Sequence, residues 1–180
     1  MQLLGSPADT ALLALLLKPF LSWYSFSEVL LKMAPLLLIA QGLAIGFRAN
    51  VFNIGAEGQF IIGAICASAF PVYDPDGNLP LMLPAMIIAG GVGGMAYAAI
   101  AASLRTRFGA SEILVTLMLS LIAVQVLNYL LLGPRKDPRG FNFPQTVMFP
   151  EAALLPLLFE NMRPNISLLF ALGASLFAYL

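Results

Sequence analysis

The stretch Arg48-Ala-Asn-Val-Phe-Asn-Ile-Gly-Ala-Glu-Gly-Gln59 separates two apolar runs, roughly Val29–Phe47 and Phe60–Tyr73. It sets Arg48, Asn50, Asn53, Glu57, Gln59, Gly55 and Gly58 into an otherwise hydrophobic sequence. Polar groups at membrane depth are costly unless they face protein or a watery cavity. A Gly-rich break between apolar segments is also how many transporters set backbone polar groups beside a substrate path. Two readings therefore stand side by side: a solvated connector between spans, and a polar lining for a path through the membrane. Asn53 can cap a new helix, with Glu57 in its first turn near the positive end of the dipole. Capping alone does not need Arg48 or Gln59 nearby.

The composition around the break decides the class. Of 180 residues, 60% are hydrophobic and 10% charged, and the mean hydropathy is +0.90. A soluble domain carries about 25% charged residues, so the chain reads as an integral membrane protein whose first partner is the lipid bilayer. The formal net charge is zero, and no nucleic-acid footprint is visible. There is no histidine, which removes the usual general base and the commonest metal ligand. Cys66 is the only cysteine, so no internal disulfide can form, and it sits in an apolar run as a small hydrophobe. No metal site, catalytic residue or enzymatic activity is expected. Glu57 and Glu112 are the only acids within or beside the spans, and neither has an evident partner. No Gly-x-x-x-x-Gly-Lys-Ser/Thr loop occurs to hold ATP.

Taken in order, Ser6 and Pro7 read as a helix start. That helix runs through Leu17 as an interfacial segment, before Lys18-Pro19, with Trp23 and Tyr24 at headgroup level. Val29–Phe47 is the first span, with a kink expected at Pro35. Asp74–Asn78 is a tight turn. Leu81–Leu104 is a span in which Gly90, Gly94, Ala98 and Ala102 recur every four residues, a small-residue ridge for close helix packing. After the polar connection Arg105-Thr-Arg107 and Gly109, Ser111–Leu132 spans again, Ser111 as cap. Glu112, Thr116 and Ser120 share one face of it. Gln125 and Asn128 form a second polar patch, and in lipid both faces must look inward. Packing and path lining are both open to Thr116 and Ser120.

Gly133–Asn165 is a long Pro-rich stretch outside any span. Its piece Glu151–Glu160 is expected on the surface of the bilayer or bundle. Ile166–Leu180 would cover only about 22 Å of a core about 30 Å thick, so the chain reads as a fragment of something longer. The fold expected is all-α, a polytopic transmembrane helical bundle with about five spans. Basic residues leave its orientation unsettled. Arg48, Arg105 and Arg107 fall on one side, against Lys18, Lys32, Arg135, Lys136, Arg139 and Arg163 on the other.

The core Phe-Asn-Ile-Gly-Ala-Glu-Gly-Gln of the break resembles a signature of permease subunits of bacterial ABC importers. The group it is most similar to handles nucleosides and simple sugars, with relatives for ribose and branched-chain amino acids. Glu112-Ile-Leu-Val-Thr-Leu-Met-Leu119 agrees. So do Leu127-Asn-Tyr129, Gly133-Pro-Arg-Lys-Asp-Pro138 and Phe141-Asn-Phe-Pro-Gln-Thr146. The resemblance covers about Gly5 to Asn165. It implies a bundle of about ten spans, of which residues 1–180 would be a partial permease domain lacking the first span and the second half. It further implies a second permease subunit, ATP-binding cassette ATPase subunits that hold the ATP, and an extracytoplasmic binding protein. The location implied is the bacterial cytoplasmic (inner) membrane, multi-pass. Gly133–Asn165 would be extracytoplasmic and Arg105–Ala110 cytoplasmic, against the charge count.

Arg48, Asn53, Glu57, Gln59, Thr116, Ser120 and Asn128 then become candidates for the substrate path. Arg135, Lys136 and Arg139 become candidates for docking the binding protein. The sequence departs from the family where asparagine or glycine is frequent: Asn50 stands for glycine, and Ser111 and Ser120 for asparagine. A branched-chain amino acid permease, a membrane enzyme, and a channel or structural subunit needing no ATPase are the alternatives.

Overall fold

The computed structural model describes residues 8–141, 143–158 and 163–179. Their regular structure is helical: α1 (Ala8–Leu21), α2 (Trp23–Arg48), α3 (Ala56–Ala67), α4 (Ala69–Tyr73), α5 (Met82–Phe108), α6 (Glu112–Leu132), a 3₁₀ turn at Glu151–Ala153 and α7 (Ser167–Tyr179). An isolated antiparallel bridge joins Leu157 and Asn165. Among the described residues, α2, α5 and α6 are long and apolar enough to cross a membrane. Among the described residues the five apolar stretches expected as spans are mainly helical, and the protein is a multi-pass helical membrane protein.

Several boundaries differ from the sequence reading. Ser6 and Pro7 lie outside the described residues, as do Asn142, Phe159 and Glu160. Helix α1 does not stop at Leu17 but runs through Lys18 and Pro19 to Leu21. A proline costs the backbone bond to the residue four back, and in the final turn that is a single bond. Helix α2 begins at Trp23 rather than Val29 and continues through Pro35 as one element. Its early serines do not break it, because the Ser27 hydroxyl donates back to the Tyr24 carbonyl at 2.7 Å.

The chain forms two compact units, Met1–Gly42 with Leu155–Leu180, and Leu43–Leu154. In the first, α2 and α7 meet through Gln41. Its amide Nε2 donates to the Ala171 carbonyl at 3.1 Å and pairs with the Ser175 hydroxyl. Arg163 forms an ion pair with Glu28 at 2.8 Å.

In the second unit, α3 is the central element and packs against both α5 and α6. It has 12 residues, about 18 Å of rise, and α4 continues it after Ser68. Helix α2 ends by a left-handed residue, Asn50 at φ +57°. The Val51 N–H then returns to the Gly46 carbonyl at 2.9 Å. Asparagine is among the few non-glycine residues that adopt this conformation readily. Helix α5 ends at Gly109, also left-handed. At Asp74–Asn78 the expected turn forms: the Leu79 N–H donates to the Asp74 carboxylate at 2.7 Å.

Candidate functional site

The break is a non-helical segment between α2 and α3, and its backbone donors must find partners elsewhere. Helix α6 supplies two of these, and one more for the first turn of α3. The Phe52 N–H donates to Glu112 Oε1 at 2.7 Å, the Ile54 N–H to Thr116 Oγ1 at 3.2 Å, and the Gly58 N–H to Ser120 Oγ at 3.3 Å. The three acceptors are one face of α6 at intervals of four. Each hydroxyl also donates to its own helix, Thr116 to the Ile113 carbonyl and Ser120 to the Thr116 carbonyl, both at 3.2 Å. Nothing in this ladder is charged except Glu112, which pairs with Arg105 at the end of α5.

Two glycines allow the ladder to close. A Cβ built on Gly55 would lie 2.4 Å from the Thr116 carbonyl oxygen, and one on Gly58 2.7 Å from Ser120 Cα. On the opposite side of α3, a Cβ on Gly63 would lie 2.8 Å from the Gly90 carbonyl oxygen. The glycines of the break thus serve close approach of backbones.

The expected cap is corrected. The first helical residue of α3 follows Gly55, not Asn53, and no side chain caps that end. Asn53 instead accepts from the Gly55 N–H at 2.8 Å through Oδ1 and donates through Nδ2 to Gln59 Oε1 at 3.1 Å. The asparagine side chain thereby closes a local turn over two residues, which leaves it two residues too early to cap. Ser111 does stand at the N-cap of α6, without a side-chain bond.

Asn53, Gln59 and Thr116 line a cavity of about 480 Å³ together with Phe52, Ala98, Ala102, Arg105 and Glu112. Ligand pockets typically hold about 300–1,000 Å³. Its polar groups are two amides, hydroxyls and an ion pair that neutralises itself, set in an apolar wall. Such a lining hydrogen-bonds an uncharged polar solute and offers little to an isolated charge.

The structure does not bring every candidate here. Arg48 is exposed at the end of α2 and Glu57 on the first turn of α3. Ser120 is buried one turn deeper, and Asn128 is exposed farther along α6. None of these four lines the cavity. Gly90 and Gly94 face α3, whereas Ala98 and Ala102 line the cavity wall. Two residues that sequence reasoning passed over, Arg105 and Phe52, belong to the site. Glu112, which has no evident partner in the sequence, has two in the fold. The even spacing of Glu112, Thr116 and Ser120 was the signal for the ladder, but spacing does not say what such a face receives.

Arg135 is likewise placed by the fold. Its guanidinium donates to the Ile65 carbonyl at 2.7 Å and to the Ser68 hydroxyl at 3.2 Å, at the C-terminal end of α3. Cations are favoured there by the helix dipole. Lys136 is half-buried, and Arg139 is exposed.

Comparison with known proteins gives consistent matches. A glucose ABC transporter permease protein of Haloferax volcanii, TsgB13, is 38% identical over 139 residues, 76% of this chain and 36% of that protein. A nucleoside ABC transporter permease protein of Lactococcus lactis subsp. cremoris, NupB, is 38% identical over 98 residues, 54% of this chain and 27% of that protein. A guanosine ABC transporter permease protein of Bacillus subtilis, NupP, is 35% identical over 114 residues, 60% of this chain and 31% of that protein. The chain thus spans about a third of the length of these relatives. No solved structure matches it. The sequence profile of one family, described as branched-chain amino acid transport system / permease component, matches residues 25–180. With most of its length inside that profile, the chain belongs to this family of membrane permease components.

Proposed function

We propose that the chain is part of the membrane-spanning permease of an ATP-driven importer, and that the solute carried is a nucleoside or a simple sugar. The observation that carries this reading is the neutral cavity in which Asn53, Gln59 and Thr116 meet. Sugars and nucleosides are uncharged and rich in hydroxyls, and amide and hydroxyl groups match them by hydrogen bonding. The names of the three relatives, for glucose, nucleosides and guanosine, support the same class. A branched-chain amino acid carries two opposite charges, and the cavity's only charged pair is already engaged with itself.

In this reading the protein resides in the cytoplasmic membrane and does no chemistry of its own. ATP is hydrolysed by separate ATPase subunits. A second permease subunit completes the path, and an extracytoplasmic binding protein delivers the solute. The loop after α6, with Lys136 and Arg139, is the surface we assign to that delivery.

Uptake of labelled guanosine and glucose by proteoliposomes holding the full-length permease, its ATPase and its binding protein tests the proposal. Asn53→Ala and Gln59→Ala should each slow uptake about tenfold, the loss expected for a hydrogen bond of roughly 1.4 kcal/mol. Normal uptake at normal expression in both variants would reduce the break to scaffolding.

A further inference from the structure

The first unit holds a second cleft, which the transport reading does not use. Helix α2 fixes its depth. Between Lys32 and Arg48 the sequence is apolar apart from Gln41, about 15 residues or roughly 23 Å of helix. Long cationic side chains reaching outward from both ends extend this toward a hydrocarbon core about 30 Å thick. Lys32 then marks the headgroup level, and Trp23, Tyr24 and Glu28 lie beyond it.

Helix α1 returns to the same level. Ala14, Lys18, Pro19, Tyr24, Glu28 and Lys32 line a cleft of about 400 Å³. Glu28 is engaged by Arg163, whose guanidinium also meets the Tyr24 hydroxyl. Lys18 and Lys32 are in neither ion pair found among the described residues. Arg163 thus offsets the one carboxylate, and two ammonium groups border the opening. Beside it, α1 exposes Leu17, Phe20 and Leu21, and Trp23 is exposed at the start of α2. Aromatic residues of this kind settle at the headgroup boundary, and basic pockets at that level take lipid phosphates.

We propose that this cleft binds the phosphate of an anionic phospholipid, with Lys18 and Lys32 as its cationic clamp and the exposed apolar flank of α1 beside the acyl chains. The apolar flank and the headgroup depth are what select a lipid over a free phosphate in solution. The inference is independent of which solute the permease carries.

The test uses the full-length permease in phosphatidylcholine vesicles with and without phosphatidylglycerol. Lipids retained after extraction are read by native mass spectrometry. The unaltered protein should retain phosphatidylglycerol over phosphatidylcholine, and the preference should fall as salt rises. Lys18→Gln with Lys32→Gln should weaken retention about 30-fold, at about 1 kcal/mol for each lysine near an anionic surface. Lys18→Arg with Lys32→Arg should keep it. Equal retention in the original and glutamine proteins would overturn the proposal, as would a preference insensitive to salt. Displacement of the lipid by inorganic phosphate alone would reassign the cleft to a soluble anion. Where the glutamine variant does not fold, the arginine variant and the salt dependence still decide.

Discussion

At Gly55 one methyl group decides whether the break can close onto α6. The added carbon would meet the Thr116 carbonyl oxygen at 2.4 Å, and that atom belongs to a helix backbone that cannot swing aside. Gly42 is the contrasting case, in the interior of α2 with nothing within 4 Å of an added Cβ. Overpacking costs about 1–3 kcal/mol, whereas glycine in a helix is about 1 kcal/mol worse than alanine. Gly55→Ala should therefore lower thermal stability in detergent, and Gly42→Ala should leave it unchanged or raise it. Equal melting temperatures for the two variants would show that α6 yields to the break. The same contrast explains what the sequence could not disclose about glycine. Both residues are glycines in or beside an apolar run, and only the neighbouring helix distinguishes them.

At the scale of elements, α3 depends on contacts made by residues far along the chain. Arg135 binds the Ile65 carbonyl and Ser68, where α3 gives way to α4. A hydrogen bond to a charged group contributes about 1.5–3 kcal/mol. Arg135→Gln should lower stability by an amount in that range, while charge reversal at Arg139 should leave stability unaltered. The opposite pattern would return Arg135 to the docking surface that its sequence position first implied. Helices α5 and α6 were legible to within a few residues, because long apolar runs end at Gly109 and begin after Ser111. The start of α2 was not, since a serine that bonds its own helix looks like a break when only polarity is read. The pairing of α6 hydroxyls with backbone donors of the break was hidden for a different reason. Thr116 and Ser120 serve their own helix and the break at once, and a one-dimensional pattern shows only the first possibility.

For the molecule as a whole, the transmembrane character was settled by composition, while the cavity depends on which of the polar residues converge. Arg48, Glu57 and Asn128 are polar residues of the same stretch of sequence or the same helix, yet they stand apart from the cavity that Asn53 and Gln59 line. The relatives extend well beyond the matched segment, which covers 36% of the glucose permease protein. Measurements of transport accordingly call for the full-length protein.

The ladder on α6 also gives the break a reading frame. Surface connectors usually tolerate insertions, since lengthening a flexible loop costs little. Here the donors Phe52, Ile54 and Gly58 must meet acceptors fixed on a rigid helix. One alanine inserted between Ile54 and Gly55 would throw two donors on one side out of step with the third on the other. Such an insertion should abolish folding and with it transport, whereas one beside Met148, 92% exposed in the loop after α6, should leave surface expression intact. An insertion scan with surface expression and uptake as readouts would reveal it. A segment without regular backbone structure would then prove among the least permissive in length, behaving under mutation as a fixed-gauge part.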